Sequence, residues 1–339
     1  MKILFIGGTG NISWHCVAKA QQAGYEIWIL NRALTVKTRR PCHQNVKRLF
    51  VDIRDIDSVK KALNGMEFDV VADFICFTPD QARLDIELFK NITKQFIFIS
   101  SAGNYQRPCT YPITESTPLF NPDWAYAQNK IDCEKVFLEQ YKKENFPVTI
   151  VRPGHTYDTH IPDAVGNGDW TIAKRMIEGK PIVIHGDGSA LWTVTHAEDF
   201  ARAFIELFGN SAAIGEAFHI TSDEWLTWQQ ISEMVAEALG VKNPSFMYIP
   251  SNIIAKANPE LGQNLLGHKI WCDIYDNSKI KSIAKGWQAN IKFAEGIRQS
   301  IDWLKADSDR QRINHGLDLF LDNLCENYSR LIKQMDHET

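Results

Sequence analysis

A phenol and an ammonium four residues apart can work as one unit on a helix, and NPDWAYAQNKIDCEK supplies that pair as Tyr126 and Lys130. Positions i and i+4 share a helix face. An ammonium beside a phenol favours the phenolate and brings its proton exchange toward neutral pH. The chemistry that uses such a pair moves a hydride to or from a carbon while a proton moves at the attached oxygen. The spacing alone is common, and the chain carries a second copy, Tyr275 and Lys279 in YDNSK. Context separates the two. The first follows an apolar run, QFIFISS, whose last residue, Ser101, can hydrogen-bond the same substrate oxygen. The second has no such strand before it and reads as structural.

The elements that must position these groups alternate through the first 150 residues. Apolar runs such as KILFIG, EIWIL, VKRLFVD, DVVADFIC, QFIFISS and VTIVRP are near-continuous, as in strands buried on both faces of a parallel sheet. Helical patterns lie between them at about 11–24, 56–64, 79–92 and 122–144. Repeated units of this kind predict an α/β fold, a Rossmann-type doubly wound parallel sheet. A smaller C-terminal α/β lobe would follow. We divide the chain into residues 1–153 with parts of 180–215, residues 154–305, and a helical extension at 306–339. In that extension Leu317, Leu321, Leu324, Tyr328, Leu331 and Met335 recur at helical spacing and are expected to pack on the body.

The first strand runs into FIGGTGNIS. Gly7, Gly8 and Gly10 form a turn between strand and helix, where backbone can approach a pyrophosphate seated on the helix N-terminus. Gly7, Thr9, Gly10, Asn11 and Ile12 are therefore expected cofactor contacts, and Ser13 stands where a third motif glycine would be. The second strand ends at Asn31 and Arg32, with Lys37, Arg39 and Arg40 beyond. An uncharged Asn and a guanidinium suit a 2′-phosphate better than a 2′-hydroxyl, so the cofactor is NAD or NADP with NADP favoured. Arg39 and Arg40 read as solvated loop charges. Asp52 and Ile53 would edge the adenine, and Phe74 and Ile75 complete this wall. Cys76 is expected beside the cofactor as a packing thiol. Phe77, Ala102, Tyr105 and Trp192 are expected to face the substrate.

Over about residues 1–305 the chain resembles the extended short-chain dehydrogenase/reductase superfamily in its sugar-nucleotide epimerase/dehydratase branch. GGTGNIS is similar to the family's glycine motif, FISSAGNY to its serine-bearing strand end, and YAQNK to its Tyr/Lys motif. VRPGHTYD resembles the segment along the nicotinamide and implies cofactor contacts for Pro153 and His155. GDGSALWTVTHAEDFARAF resembles a substrate-lobe stretch, with Trp192 in place of a diphosphate-binding Arg. The resemblance implies an NAD(P)-dependent epimerase or reductase with Ser101, Tyr126 and Lys130 as its catalytic triad, acting on a sugar or sugar nucleotide. It also implies a homodimer formed through the helices near 79–92 and 122–144. Shorter matches are similar to chloroplast stem-loop RNA-binding relatives, so a non-catalytic regulator or RNA-associated protein is the alternative.

The formal net charge of −4 and the lack of a long basic run argue against nucleic acid as a partner. Seven scattered cysteines without a C-x-x-C pair fit free thiols in a cytoplasmic setting, and no metal site is expected. No apolar stretch approaches the ~20 residues of a membrane span.

Overall fold

Residues 1–32 and 39–337 are described in the computed structural model; Lys37 lies outside them. The first half repeats strand and helix: β1 (Lys2–Ile6), α1 (Ser13–Gln22), β2 (Glu26–Asn31), β3 (Lys47–Phe50), α2 (Ile56–Ala62), β4 (Val70–Asp73), α3 (Pro79–Phe89), β5 (Phe96–Ile99), α4 (Ala125–Glu144) and β6 (Val148–Pro153). The second half has shorter elements: β7 (His155–Tyr157), α5 (Thr171–Ile177), β8 (Ile182–His185), β9 (Leu191–Trp192), β10 (Val194–His196), α6 (Ala197–Phe204), β11 (Ala217–Ile220), β12 (Leu226–Thr227), α7 (Trp228–Leu239), β13 (Phe246–Ile249), α8 (Ser251–Ala257), α9 (Pro259–Asn264), α10 (Ser278–Ile283), α11 (Phe293–Lys305) and α12 (His315–His337).

Seven strands form one sheet in the order β11-β6-β5-β4-β1-β2-β3, and every pairing is parallel. The chain order reverses between β1 and β4, which opens a crevice beyond the carboxyl ends of these strands. The continuous apolar runs follow from burial on both faces. Ile3 and Phe5 of β1 pack with Val17, Phe200 and Phe204 on one side. Leu4 and Ile6 pack with Phe96, Phe98 and Phe137 on the other. Alternate residues of a strand point to opposite faces, so one strand serves both cores. Each fully buried aromatic or aliphatic side chain contributes about 1.5–3 kcal/mol.

Local signals set the helix ends near the site. Thr78 caps α3 by accepting from Gln81 N, with Pro79 at the first helical position. His196 caps α6 through Nδ1, which accepts from Glu198 N at 3.2 Å.

A third core fills the region over the strand ends, with Trp170, Trp192, Trp228, Ile231, Val235, Ile297 and Ile301 at its centre. Leu317, Leu321 and Leu324 of α12 enter it, whereas Leu331 and Met335 are exposed. The apolar stripe of α12 thus packs on the body only over its first turns. Among the described residues, no helix is long and apolar enough to cross a membrane.

Candidate active site

The glycine turn bends where only glycine fits. Gly7 has φ +80, and a Cβ there would lie 2.8 Å from Ile75 Cγ2. Ser13 explains itself: its Oγ accepts from Gly10 N at 2.8 Å and donates to Gly7 O at 2.7 Å, so the hydroxyl braces the turn. α1 starts with no acidic residue in its first turn and no side chain capping its first amides. That leaves an electropositive end turned to the crevice.

A cavity of about 610 Å³ lies over this turn. Gly7, Thr9, Gly10, Asn11 and Ile12 line it from the turn, Asn31 and Arg32 from the end of β2, and Asp52 and Ile53 from beyond β3. Phe74, Ile75 and Phe77 follow β4, Pro153 ends β6, and Tyr126 and Lys130 come from α4. Asn11 also clips the turn to the other lobe, donating to Thr156 O at 3.0 Å and accepting from Thr159 N at 3.0 Å. Arg32 stands 3.8 Å from Asp52 across the mouth. Sequence reasoning missed Arg54, which also lines the cavity and donates to Ile75 O; nothing in VDIRD marks it except proximity to Asp52. Arg39 sits on the rim. Arg40 is not a solvated charge: it makes a two-pronged contact with buried Asp158 at 2.5 and 2.7 Å, and His15 reaches the same carboxylate at 3.1 Å. Burial alone would push Asp158 up, but these partners hold it well below the usual carboxylate range.

Tyr126 and Lys130 do share one face of α4, but the lysine is committed. Its Nζ donates to Cys76 O at 2.6 Å and to Ile99 O at 2.7 Å, and it lies 5.8 Å from the centre of the Tyr126 ring. The expected lowering of the phenol does not prevail in this resting arrangement. Burial pushes Tyr126 up to about 12, while a hydrogen bond with the Ser101 side chain pulls the other way. Burial also lowers Lys130, and Cys76 and Asp73 oppose that shift. Cys76 does not face the cavity with its thiol; it is fully buried, and its carbonyl is the part that serves the site. Beneath it, Asp73, Cys76 and Asp85 bring ligand-type atoms within 4.8 Å of one another. Burial pushes both carboxyls up, which fits two acids sharing a proton.

A second buried network supports the strand end that carries Ser101. Ser100 Oγ donates to Glu134 at 2.5 Å, Glu134 pairs with Arg152 at 2.6 Å, and Arg152 donates to the Tyr105 hydroxyl at 3.2 Å. Tyr105 continues the chain to His219 Nδ1 at 3.1 Å. Tyr105 was expected to face the substrate; full burial in this network turns it away from every described cavity. Ala102 is likewise fully buried, against Tyr105, Ile113 and Tyr275. Trp192 is the third such case. Its indole donates to Trp271 O at 3.0 Å and packs 4.6 Å from Trp228 and 4.7 Å from His268, inside the second-lobe core. Tyr275 is buried and Lys279 pairs with Glu216 at 2.7 Å, away from the crevice.

Two further cavities open in front of Tyr126. One, about 440 Å³, is lined by Ser101, Pro153, His155, His160, Asn167, Asn264 and Lys269. Burial pushes His155 down to about 3, so it is neutral at ordinary pH. The other, about 540 Å³, extends past Trp124 and the 258–269 segment to the start of α12. Among the described residues, Tyr126 alone borders all three cavities.

A parallel sheet with this strand order, and a braced glycine turn at its switch point, defines a Rossmann-type α/β protein. The chain belongs to the NAD dependent epimerase/dehydratase family, whose sequence model matches residues 3–221. The chloroplast stem-loop binding protein of 41 kDa b from Arabidopsis thaliana is 25% identical over 314 residues, covering 88% of this chain and 78% of that protein. The 2'-dehydrokanamycin reductase of Streptomyces kanamyceticus is 23% identical over 295 residues, 85% of this chain and 80% of the enzyme. Among solved structures, the UDP-glucose 4-epimerase of Bifidobacterium longum in complex with NAD+ and UDP superposes with a TM-score of 0.74 at 18% identity, covering 91% of this chain and 100% of that one.

Proposed function

We propose that the protein is an NAD(P)-dependent epimerase or reductase acting on a sugar or sugar derivative. In this reading Tyr126 exchanges the proton, Ser101 orients the reacting oxygen, and Lys130 holds the nicotinamide ribose. One observation carries it: the phenol stands where the dinucleotide-sized cavity meets the two cavities of the other lobe. The turn fits a pyrophosphate, since its glycines leave room for backbone approach and the amides of α1 are uncapped by side chains. When bound, the nicotinamide supplies or accepts the hydride. The chain does the rest. Lys130 is held by two carbonyls at the floor, Ser101 and Tyr126 border the same cavity, and Phe77 lines the dinucleotide side. A phenol near 12 is protonated at neutral pH, which suits donation to a carbonyl oxygen as the hydride arrives.

Asn31 in place of an acid, with Arg32 and Arg39 lining the same end, supports NADP over NAD. The outer faces of α3 and α4, which pack side by side, are the surfaces we assign to a homodimer. Seven free cysteines support a cytoplasmic setting. The likeness to a stem-loop binding protein favours one rival, an RNA-associated module.

Incubation with NADPH and a panel of carbonyl-bearing sugars, beside a stem-loop RNA titration, separates the two. We expect turnover that Tyr126→Phe abolishes while NADPH binding persists. Tight RNA binding with no turnover would replace the enzymatic reading.

A further inference from the structure

The two cavities in front of Tyr126 form one compartment: they share Tyr126, Gly166, Asn167, Asn264 and Lys269. Side-chain amides are prominent in its polar lining, beside hydroxyls, two histidines and the charged Asp163, Glu260 and Lys269. Asn167 and Asn264 border both cavities, as Tyr126 does, and Asn258, Gln263 and Asn314 line the outer one. Trp124, whose ring lies 4.9 Å from that of Tyr126, offers an aromatic wall.

Positive charge is what the compartment lacks. Among the described lining residues the one lysine or arginine is Lys269. It is nearly buried and committed to Asp163, donating to its carbonyl at 2.8 Å and its carboxylate at 3.2 Å. His155 and His160 are both pushed down by burial. Glu260 adds a negative charge at the outer end. Arg107 is turned inward to Asp273 at 2.5 Å. Arg39 borders the dinucleotide cavity rather than this compartment. The start of α12 reaches the wall, but Asn314 already accepts from Leu317 N at 3.0 Å and Asp318 sits in the same turn. A diphosphate entering here would find neither a free guanidinium nor an open helix end, the usual means of holding it. Amides and an indole face are the means of holding sugar hydroxyls and the apolar face of a ring.

We propose that this compartment takes an uncharged, hydroxyl-rich substrate, a sugar or glycoside without phosphate or diphosphate, held by Asn167 and Asn264 with a ring face against Trp124. The proposal rests on the enzymatic reading of Tyr126 and narrows its substrate class.

The test is calorimetric titration of the full chain, with and without NADPH. The probes are a panel of methyl glycosides and neutral disaccharides, then UDP, UDP-glucose and glucose 1-phosphate. At least one uncharged glycoside should bind, and UDP should not compete with it. UDP-glucose should bind no tighter than methyl glucoside, with no dependence on salt between about 50 and 300 mM. Asn264→Leu and, independently, Trp124→Ala should each weaken glycoside binding by about tenfold or more while NADPH affinity, the check on folding, holds. UDP-glucose binding about tenfold tighter than methyl glucoside, competition by UDP, or no glycoside binding at all would overturn the proposal. Turnover of UDP-glucose would sink this inference and leave the enzymatic reading standing; failure to bind NADPH would sink that reading instead.

Discussion

The glycine turn treats polar groups differently from the rest of the molecule. Around the turn, chemistry-bearing atoms are held at the edge of a cavity by backbone: Lys130 by two carbonyls, Ser13 between two glycines, Ser101 by Gly103 N at 3.1 Å. Away from it, charged side chains are spent on each other. Arg152 pairs with Glu134 within the first lobe, Arg107 with Asp273 between the lobes, and Arg175 with Asp318 and Lys269 with Asp163 in the second. A ligand with phosphates meets uncapped amides in the first lobe and closed ion pairs in the second. A common cofactor site is thus joined to a compartment whose own pairing sets what enters it.

This contrast can be broken from either side. The largest effect is expected for Asp273→Asn, which strands Arg107 with both side chains under 4% exposed. Breaking a buried pair costs about 3–5 kcal/mol, so thermal unfolding should fall by many degrees. Gly7→Ala should cost about 1–3 kcal/mol through its left-handed φ and its contact with Ile75, seen mainly as weaker NADPH binding by titration. Trp192→Phe removes the hydrogen bond to Trp271 O and should lower stability by about 1–2 kcal/mol with NADPH affinity unchanged. An effect on cofactor binding instead would join Trp192 to the site.

Acid should act first through the buried histidines. His155 and His185 are held down to about 3 and His196 to about 4, chiefly by burial. Each lies below the unfolded value of about 6.5, so its contribution is present above that pH and is lost as the unfolded chain gains protons on acidification. Melting temperature should therefore drop between pH 7 and 5; a flat profile would contradict neutral burial of these rings. Arg32→Ala is the mildest change, because the side chain is exposed and 3.8 Å from Asp52; it should shift NADPH-over-NADH preference by about 0.2–1 kcal/mol.

Much of the first lobe was legible because its signals are local. The glycine turn, the strand-end Ser101 and the i,i+4 pair each sit within a few residues, and backbone periodicity fixes where they point. What escaped depends on partners far along the chain. Arg40 meets Asp158 across 118 residues, and Tyr105 meets His219 across 114. Trp192 is expected from the sequence to face the substrate, yet the indole needs a carbonyl when buried and finds Trp271 O 79 residues away. Spacing says nothing about such pairings, so burial turned three expected substrate contacts into packing. The phenol's acidity escaped for a related reason: burial raises Tyr126, and the carbonyls of Cys76 and Ile99, not the shared helix face, decide where the Lys130 ammonium goes.

The most direct measurement is a crystal structure of the complex with NADPH. The glycine turn should hold the pyrophosphate, Lys130 should meet the ribose, and the nicotinamide C4 should open onto the compartment at reacting distance, about 3–3.5 Å from a substrate carbon placed against Tyr126. A dinucleotide seated elsewhere, or a nicotinamide ring screened from Tyr126, would contradict the central role given to that phenol.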